Sequence, residues 1–316
     1  MTAVQNAAPP SAPPAQAASA LPRPRRSTLY IPGSNTRAME KARDLPADAL
    51  ILDLEDAVAP SQKDAARRQI RAALESKAYG RREIIVRINA LDTPFAQDDL
   101  AAIAQISPGA GPDAILVPKI LAPGQVVRAG HALTQAGAPE ATRLWIMIET
   151  PLAVLDIRNI AATAVDPSVR LAAFVLGLND LAKETGAQLT PNRDHLQPVL
   201  LQCLLAARAY GLAILDSVRN DFSDADGLRG ECAAARALGF DGKTLIHPNQ
   251  IAIANEIFAP SAAEITEASA IVAAFAAPEA ANLGAVSVNG RMVERLHAEI
   301  ATRTLALAGA IAQLRP

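Results

Sequence analysis

The chain has 316 residues, enough for one (β/α) barrel of roughly 250 residues with an appendage and for a substantial buried core. Thirty basic against 32 acidic residues leave a net charge of −2, which removes any global electrostatic case for nucleic acid or an anionic membrane. Aromatic residues make up only 3%, with no basic–aromatic pattern of a nucleic-acid module, and no run of about 18 uninterrupted apolar residues suggests a membrane span.

Residues 1–22 are mostly Ala, Pro, Ser and Gln, followed by Arg23, Arg25 and Arg26. Repeated prolines prevent a steady helix, and there is no apolar core of a signal peptide. The expectation is a disordered or targeting-like tail over 1–24 on a cytoplasmic protein. Cys203 and Cys232 fall in helix-like segments without metal-ligand spacing, as expected of buried thiols in a reducing compartment.

From Thr28 onward, short apolar runs predict eight strands, at 28–32, 49–54, 84–88, 114–118, 144–149, 172–177, 212–216 and 242–246. Amphipathic or alanine-rich stretches at 35–44, 61–77, 98–106, 124–136, 152–163, 193–209 and 226–238 predict the intervening helices. Pro60-Ser61 with Asp64, and the run from Asp221 to Asp226, supply helix starts; Gly80, Gly211 and Gly239 mark helix ends. Near-continuous apolar strands alternating with helices describe a parallel sheet covered on both faces. Pro32-Gly33-Ser34-Asn35 is not the glycine fingerprint of a dinucleotide fold, so a TIM (β/α)8 barrel is the expected architecture over 25–258. A helix is expected from His247 to Phe258 and another over 261–276. A Gly/Asn connection over 278–289 and a last helix over 290–311 complete a C-terminal arm or lid over 259–316.

A barrel keeps its chemistry at the C-terminal ends of its strands. Glu149 closes the fifth strand and Asp180 follows the sixth, so adjacent strands bring the two carboxylates together. Such a pair in a wet cleft suits Mg²⁺, whose other ligands are water and substrate oxygens; helix capping or salt bridging are the competing roles. Four histidines without an H-x-x-x-H cluster disfavour a histidine-rich zinc site. Arg87 ends an apolar strand. Its planar fork suits a substrate carboxylate, or pairs with Asp53, Glu55 or Asp56 across the mouth. Lys119 is expected to support the carboxylates as a charged amine rather than a Schiff-base lysine. Gly33 to Arg37 open a helix whose N-terminus either receives an anion or is simply capped, with Arg25 and Arg26 just before the same strand.

These residues together resemble the citrate lyase beta-subunit-like family, related to the malyl-CoA and citramalyl-CoA lyases. The resemblance rests on Arg26-Ser27-x-Leu29-Tyr30-Ile31-Pro32-Gly33, Leu52-Asp53-Leu54-Glu55-Asp56-Ala57-Val58 and Val86-Arg87-Ile88-Asn89. It continues through Val117-Pro118-Lys119, Ile148-Glu149-Thr150-Pro151, Gly177-x-x-Asp180-Leu181 and Gly242-Lys243-x-x-Ile246-His247-Pro248, covering roughly residues 25–300. It implies a magnesium-dependent barrel, a homotrimer or hexamer, with Mg²⁺ on Glu149 and Asp180 and the oxoacid on Arg87. Arg26, Tyr30, Arg37 and Lys41 would contact the CoA or acyl-carrier portion, and Asp53, Glu55, Asp56 and Lys119 would surround the metal as supporting residues. One departure stands in Val288-Asn289-Gly290-Arg291-Met292-Val293-Glu294, where the family motif commonly ends in an aspartate given to a neighbour's site. Glu294 is one methylene longer, and a misplacement of about 1 Å costs on the order of 100-fold in rate; the alternative is a solvent-facing glutamate in the last helix.

The leading expectation is reversible carbon–carbon cleavage of a short 3-hydroxyacyl-CoA such as malyl-CoA or citramalyl-CoA, releasing a small oxoacid. Mg²⁺ and Arg87 would stabilise developing oxygen charge, and Glu294 would move the proton. The alternatives are malyl-CoA thioesterase, cleavage of a citryl group on a carrier protein, and a non-catalytic subunit that binds CoA or an acyl carrier.

Overall fold

The apolar runs close on themselves. A computed structural model of the chain describes residues 23–107, 109–280 and 283–314. Its parallel barrel strands are β1 (Ser27–Pro32), β2 (Ala49–Asp53), β3 (Glu83–Arg87) and β4 (Ala114–Val117). They continue with β5 (Arg143–Ile148), β6 (Leu171–Leu176), β7 (Ala213–Asp216) and β8 (Gly242–Leu245). Neighbours pair in sequence order, and β8 returns to β1 with Ser27 opposite Lys243 and Leu29 opposite Leu245. Each predicted strand is present, its ends displaced by no more than one residue. The eight-stranded barrel expectation is therefore met.

Both faces of the sheet are dry, which is why the strands read as continuous apolar runs. Ile51, Ile85, Leu116, Trp145, Met147, Val175 and Leu215 fill the barrel interior. Leu50, Leu52, Val86, Ile115, Ile146 and Phe174 turn outward into the larger core beneath the helices. Those helices are α1 (Thr36–Lys41), α2 (Lys63–Glu75), α3 (Ala96–Ala104), α4 (Pro123–Gln135), α5 (Pro151–Leu155) and α6 (Ile157–Ala162). The outer ring is completed by α7 (Leu178–Thr185), α8 (Gln197–Ala209), α9 (Ala225–Leu238) and α10 (Ile251–Phe258). Caps act as the sequence suggests at two points: the Asp224 carboxylate accepts the Gly227 N–H, and Gly239 ends α9 at φ +109°, where only glycine is unstrained.

Three details differ from the sequence reading. The segment 152–163 is two helices, because the chain turns at Asp156 (φ −105°, ψ 18°). The helix α7 (Leu178–Thr185) was not anticipated: the residues after the strand predicted at 172–177 were assigned to no element. The connection 278–289 contains a strand, β9 (Ala285–Val288), which pairs antiparallel with β10 (Arg291–Glu294) through a turn at Asn289-Gly290. The last helix, α12 (Arg295–Leu314), therefore starts after Glu294 rather than at 290.

With α11 (Ala262–Ala276), the hairpin and α12 form a C-terminal extension held by its own small core of Ala268, Ile271, Val293 and Ala301. The apolar stretch Pro248–Ala276 has the length and composition of a membrane span. It is broken by extended backbone at Ala259 and Ser261 into helices of 8 and 15 residues, each short of the about 20 a bilayer needs. The expected tail over 1–24 lies outside the described residues except for its end, where Arg23 ion-pairs with Asp113 at 2.7 Å.

Candidate active site

Strand geometry sorts the predicted site residues between the two ends of the barrel. Asp53 and Arg87 sit at the C-terminal ends of β2 and β3 in register with one another. Glu149 follows β5, and Asp180 lies in the first turn of α7 just after β6. These ends share one mouth. Arg26 precedes β1, so six residues of strand separate it from that mouth, about 20 Å at the rise of a strand. There it is buried, with Nε and Nη2 each 2.8 Å from the Asp48 carboxylate. Arg25 beside it forks the Glu83 carboxylate at 2.6 and 2.8 Å and lies over the Trp145 ring. The expectation that Arg26 contacts substrate is corrected on this ground: it is a floor residue at the opposite end from the chemistry.

Asp53 organises one side of the mouth. Its two oxygens accept the Glu55 and Ala57 N–H groups, which shapes the loop after β2, and both also accept from Arg87 (Nε and Nη2, 2.6 Å each). Lys63 pins the same loop from beneath by donating to the Leu54, Glu55 and Val58 carbonyls. Burial alone would favour losing the Arg87 proton, but Asp53 holds its pKa well above the usual value. The third nitrogen of the fork, Nη1, lies 2.8 Å from Glu55 Oε2 as an ion pair without hydrogen-bond geometry, leaving that oxygen without a hydrogen bond. The guanidinium rests over the Tyr30 ring at 4.8 Å. Tyr30 thus lies under Arg87, with its hydroxyl pKa raised by burial. Of the two competing roles of Arg87, the structure holds the acidic pairing: Asp53 fixes the fork, and Nη1 lies against Glu55 Oε2 and donates to Met147 Sδ at 3.7 Å.

Glu149 and Asp180 form the other side. Glu149 is 1% exposed, and its Oε1 accepts the Lys119 backbone N–H at 2.7 Å. Lys119 can offer that N–H because its backbone is left-handed (φ 55°), an uncommon state for a side-chain-bearing residue and one that clusters at functional sites. Its ammonium is 2.8 Å from Asp180 Oδ2, 3.8 Å from Glu149 Oε1, 3.9 Å from Asp56 Oδ2 and 4.0 Å from Glu55 Oε1. Burial pushes the carboxyls of Glu55 and Glu149 up to about 7, against the pull of Arg87 on the first and Lys119 on the second. Lys119 is held above its usual pKa despite burial, chiefly by its bond to Asp180.

The donor set fits a hard divalent cation. Five carboxylates, Asp53, Glu55, Asp56, Glu149 and Asp180, line the mouth against Arg87 and Lys119, with Lys63 bonded to carbonyls beneath the loop; once Glu55 and Glu149, raised to about 7, are both ionised, the acids outnumber these cations. Among the described residues no group of three or more His, Cys, Asp or Glu side chains converges to cage a metal alone. Mg²⁺ needs none, because one or two carboxylates with water and substrate oxygens suffice. Gly177 supplies the room: a Cβ there would lie 2.5 Å from Glu149 Cβ and 2.6 Å from its Oε2. Its role was legible only as a glycine three residues before Asp180; the packing reason is tertiary.

Arg37 and Lys41 are exposed one turn apart on α1, as an anion-binding edge requires. The end of α1 itself is capped by Asn35, whose side chain accepts the Ala38 N–H, so the capped alternative holds for the backbone. Glu294 is exposed at the end of β10 in the extension; its N–H donates to His297 Nδ1, and its carboxylate is in none of the ion pairs of the mouth. A second charge cluster was missed by sequence reasoning. Asp216, fully buried, is forked by Arg193 at 2.9 and 3.0 Å and contacted by Lys243 Nζ at 2.7 Å, while Glu231 pairs with Lys243 and Arg219. Its signals were the polar ends of the runs 213–216 and 242–246. With Asp224, which also pairs with Arg219, three acids balance three bases, and the cluster ties the loop before α8 and the loop after β7 to β8. A cavity of about 230 Å³ beside it, lined by Leu178, Leu189, Arg193 and Arg219, adjoins the mouth rather than forming it.

A closed barrel with paired carboxylates, an oriented guanidinium and a surplus of negative charge at its C-terminal mouth defines a metal-assisted enzyme of the TIM-barrel class. Residues 26–248 match the HpcH/HpaI aldolase/citrate lyase family, and the chain belongs to it. It is 50% identical over 289 residues to the (3S)-malyl-CoA thioesterase of Cereibacter sphaeroides, covering 92% of this chain and 96% of that one. To the citrate lyase subunit beta of Escherichia coli it is 35% identical over 277 residues, covering 86% and 89%. Among solved structures, protein CitE of Mycobacterium tuberculosis in complex with magnesium, acetoacetate and coenzyme A superposes with a TM-score of 0.69 at 30% identity, covering 90% of this chain and 97% of that one.

Proposed function

We propose that this chain is a magnesium-dependent enzyme acting on a short 3-hydroxyacyl-CoA with a terminal carboxylate, and that its reaction is hydrolysis of a malyl-CoA-type thioester. The observation that carries the proposal is the Glu149–Asp180 pair facing Arg87 across one mouth. Half-identity over nearly the whole length to a malyl-CoA thioesterase weights hydrolysis above the carbon–carbon cleavage expected from the sequence. Cleavage, on a CoA or a carrier thioester, is the second reading, supported by the lower identity to citrate lyase beta subunits.

Glu149 and Asp180 would hold Mg²⁺, which supplies a Lewis acid against oxygen charge. Arg87, fixed by Asp53 and stacked on Tyr30, would orient the substrate carboxylate through Nη1, which that carboxylate would take over from Glu55 and Met147. Arg37 and Lys41 receive the anionic phosphates of CoA at the rim above β1. In hydrolysis a base takes a proton from water, the water oxygen bonds to the thioester carbonyl carbon, and the C–S bond breaks to a thiolate that regains a proton. Glu294 is the proposed base. In this reading Glu294, carried on the extension outside its own mouth, serves the mouth of a second copy in a homotrimer or hexamer. Met292, Leu296 and Ile300, 75%, 50% and 56% exposed, give the extension an apolar stripe suited to such a contact. The proposed role of the extension, α11 to α12, is a lid on a neighbour's barrel.

Purified protein given (3S)-malyl-CoA with Mg²⁺ is expected to release free CoA and malate, and neither after chelation. Acetyl-CoA and glyoxylate in their place would establish cleavage and overturn hydrolysis. Metal-dependent binding without either product pair would overturn both in favour of a non-catalytic subunit.

A further inference from the structure

The Lys119 ammonium lies within 4.0 Å of four carboxylates and closest, at 2.8 Å, to Asp180. We infer that Lys119 is a counter-cation that a divalent metal displaces from Glu149 and Asp180, so that metal loading and release of the lysine side chain are one event. The inference rests on the metal reading given above and adds a competitor to it.

Mg²⁺ binds carboxylate oxygens at about 2.0–2.1 Å and tolerates little distortion. An ion reaching both Glu149 and Asp180 would stand beside the ammonium, which already spans the same two groups. Two cations that close repel, and the divalent charge holds the carboxylates more strongly. The lysine is the one able to leave. Its side chain is 32% exposed and has four flexible methylenes leading to solvent. Its backbone is not free: the left-handed turn and the N–H bond to Glu149 Oε1 hold that carboxylate at its station. One residue thus carries two separable roles, a fixed donor that orients a metal ligand and a mobile cation that occupies the site. Arg87 cannot share the second role, because two of its nitrogens are committed to Asp53. Lys63 cannot either, since its ammonium donates to three carbonyls beneath the loop.

The test is Mg²⁺ titration by calorimetry on the full chain at pH 8, comparing wild type with Lys119→Met, and with Lys119→Gln should the methionine variant fold poorly. Removing one partly solvated competing charge is expected to tighten Mg²⁺ by about 10-fold. Unchanged or weaker binding would overturn the inference, because the ammonium would then sit beside the metal as an ally. Wild-type protein gives an independent readout: acetylation of Lys119 by an amine-reactive ester, followed by mass spectrometry, is expected to speed up when Mg²⁺ is added. Slower or unchanged labelling overturns it. Absence of any Mg²⁺ binding to wild type would sink the metal reading along with this one, whereas binding without competition would sink this one alone.

Discussion

Gly177→Ala is the sharpest probe of how the mouth is built. Gly177 has φ −114°, open to any residue, so the argument concerns space and not backbone strain. The added Cβ would fall 2.5 Å from Glu149 Cβ, 2.6 Å from Glu149 Oε2 and 3.1 Å from Met147 Cε. Carbon atoms in ordinary contact lie about 3.5–4.0 Å apart, so Glu149 or the β6 end must move by about 1 Å. Overpacking of this kind costs about 1–3 kcal/mol. That is a fall of roughly 2–12 °C in melting temperature, using roughly 2–4 °C per kcal/mol. The functional cost is larger, because a displacement of about 1 Å at a reacting centre costs on the order of 100-fold in rate. The assay is Mg²⁺ affinity by calorimetry and turnover of malyl-CoA, beside a thermal melt. Gly124→Ala, where a Cβ meets nothing within 4 Å, is the control and is expected to be neutral or slightly stabilising. Wild-type metal affinity and turnover in Gly177→Ala would refute the claim that this glycine makes room for the carboxylate.

Three further outcomes follow from the placements described. Arg26→Met strands the buried Asp48 carboxylate and is expected to cost about 3–5 kcal/mol with KM unchanged; a raised KM at unaltered stability would return Arg26 to the substrate. Replacing Arg37 and Lys41 together by alanine should raise KM for the CoA thioester by about 10-fold with kcat preserved, the pattern of lost ground-state binding; no change in KM contradicts the rim assignment. Glu55 and Glu149 titrate near 7 in the folded chain instead of 4.5, so the native state holds extra protons between those values. Their stabilising contribution is complete below about pH 4.5 and is lost as pH rises through about 7. Urea midpoints under chelation should therefore decline over that window more steeply in wild type than in Glu149→Gln, and parallel profiles would argue against the raised pKa.

The strands were legible because a sheet dry on both faces permits little but apolar residues, so runs such as Ile84–Val86 or Leu144–Ile148 announce themselves. The helix start at Asp224 was legible through local capping chemistry in the run Asp221 to Asp226. The helix α7 was not, because it is only eight residues long and its buried face, Leu178, Leu181 and Ala182, is too short to show a helical period. The β9–β10 hairpin was hidden as well: its Asn289-Gly290 turn is a clear local cue, but the strands are short and half exposed, and only pairing with each other and with α11 makes them strands. Asp53, Arg87, Glu149 and Asp180 stood out as charges at the ends of dry runs, where a buried charge demands a partner. By itself, the sequence determined the barrel, its family and which polar residues end its strands, since periodicity and local chemistry act over a few residues. Tertiary structure alone decided that Arg26 lies at the floor, that Lys119 spans four carboxylates and that Gly177 leaves room for Glu149. Those facts depend on distances between strand ends far apart in the chain, which are set by closure of the barrel.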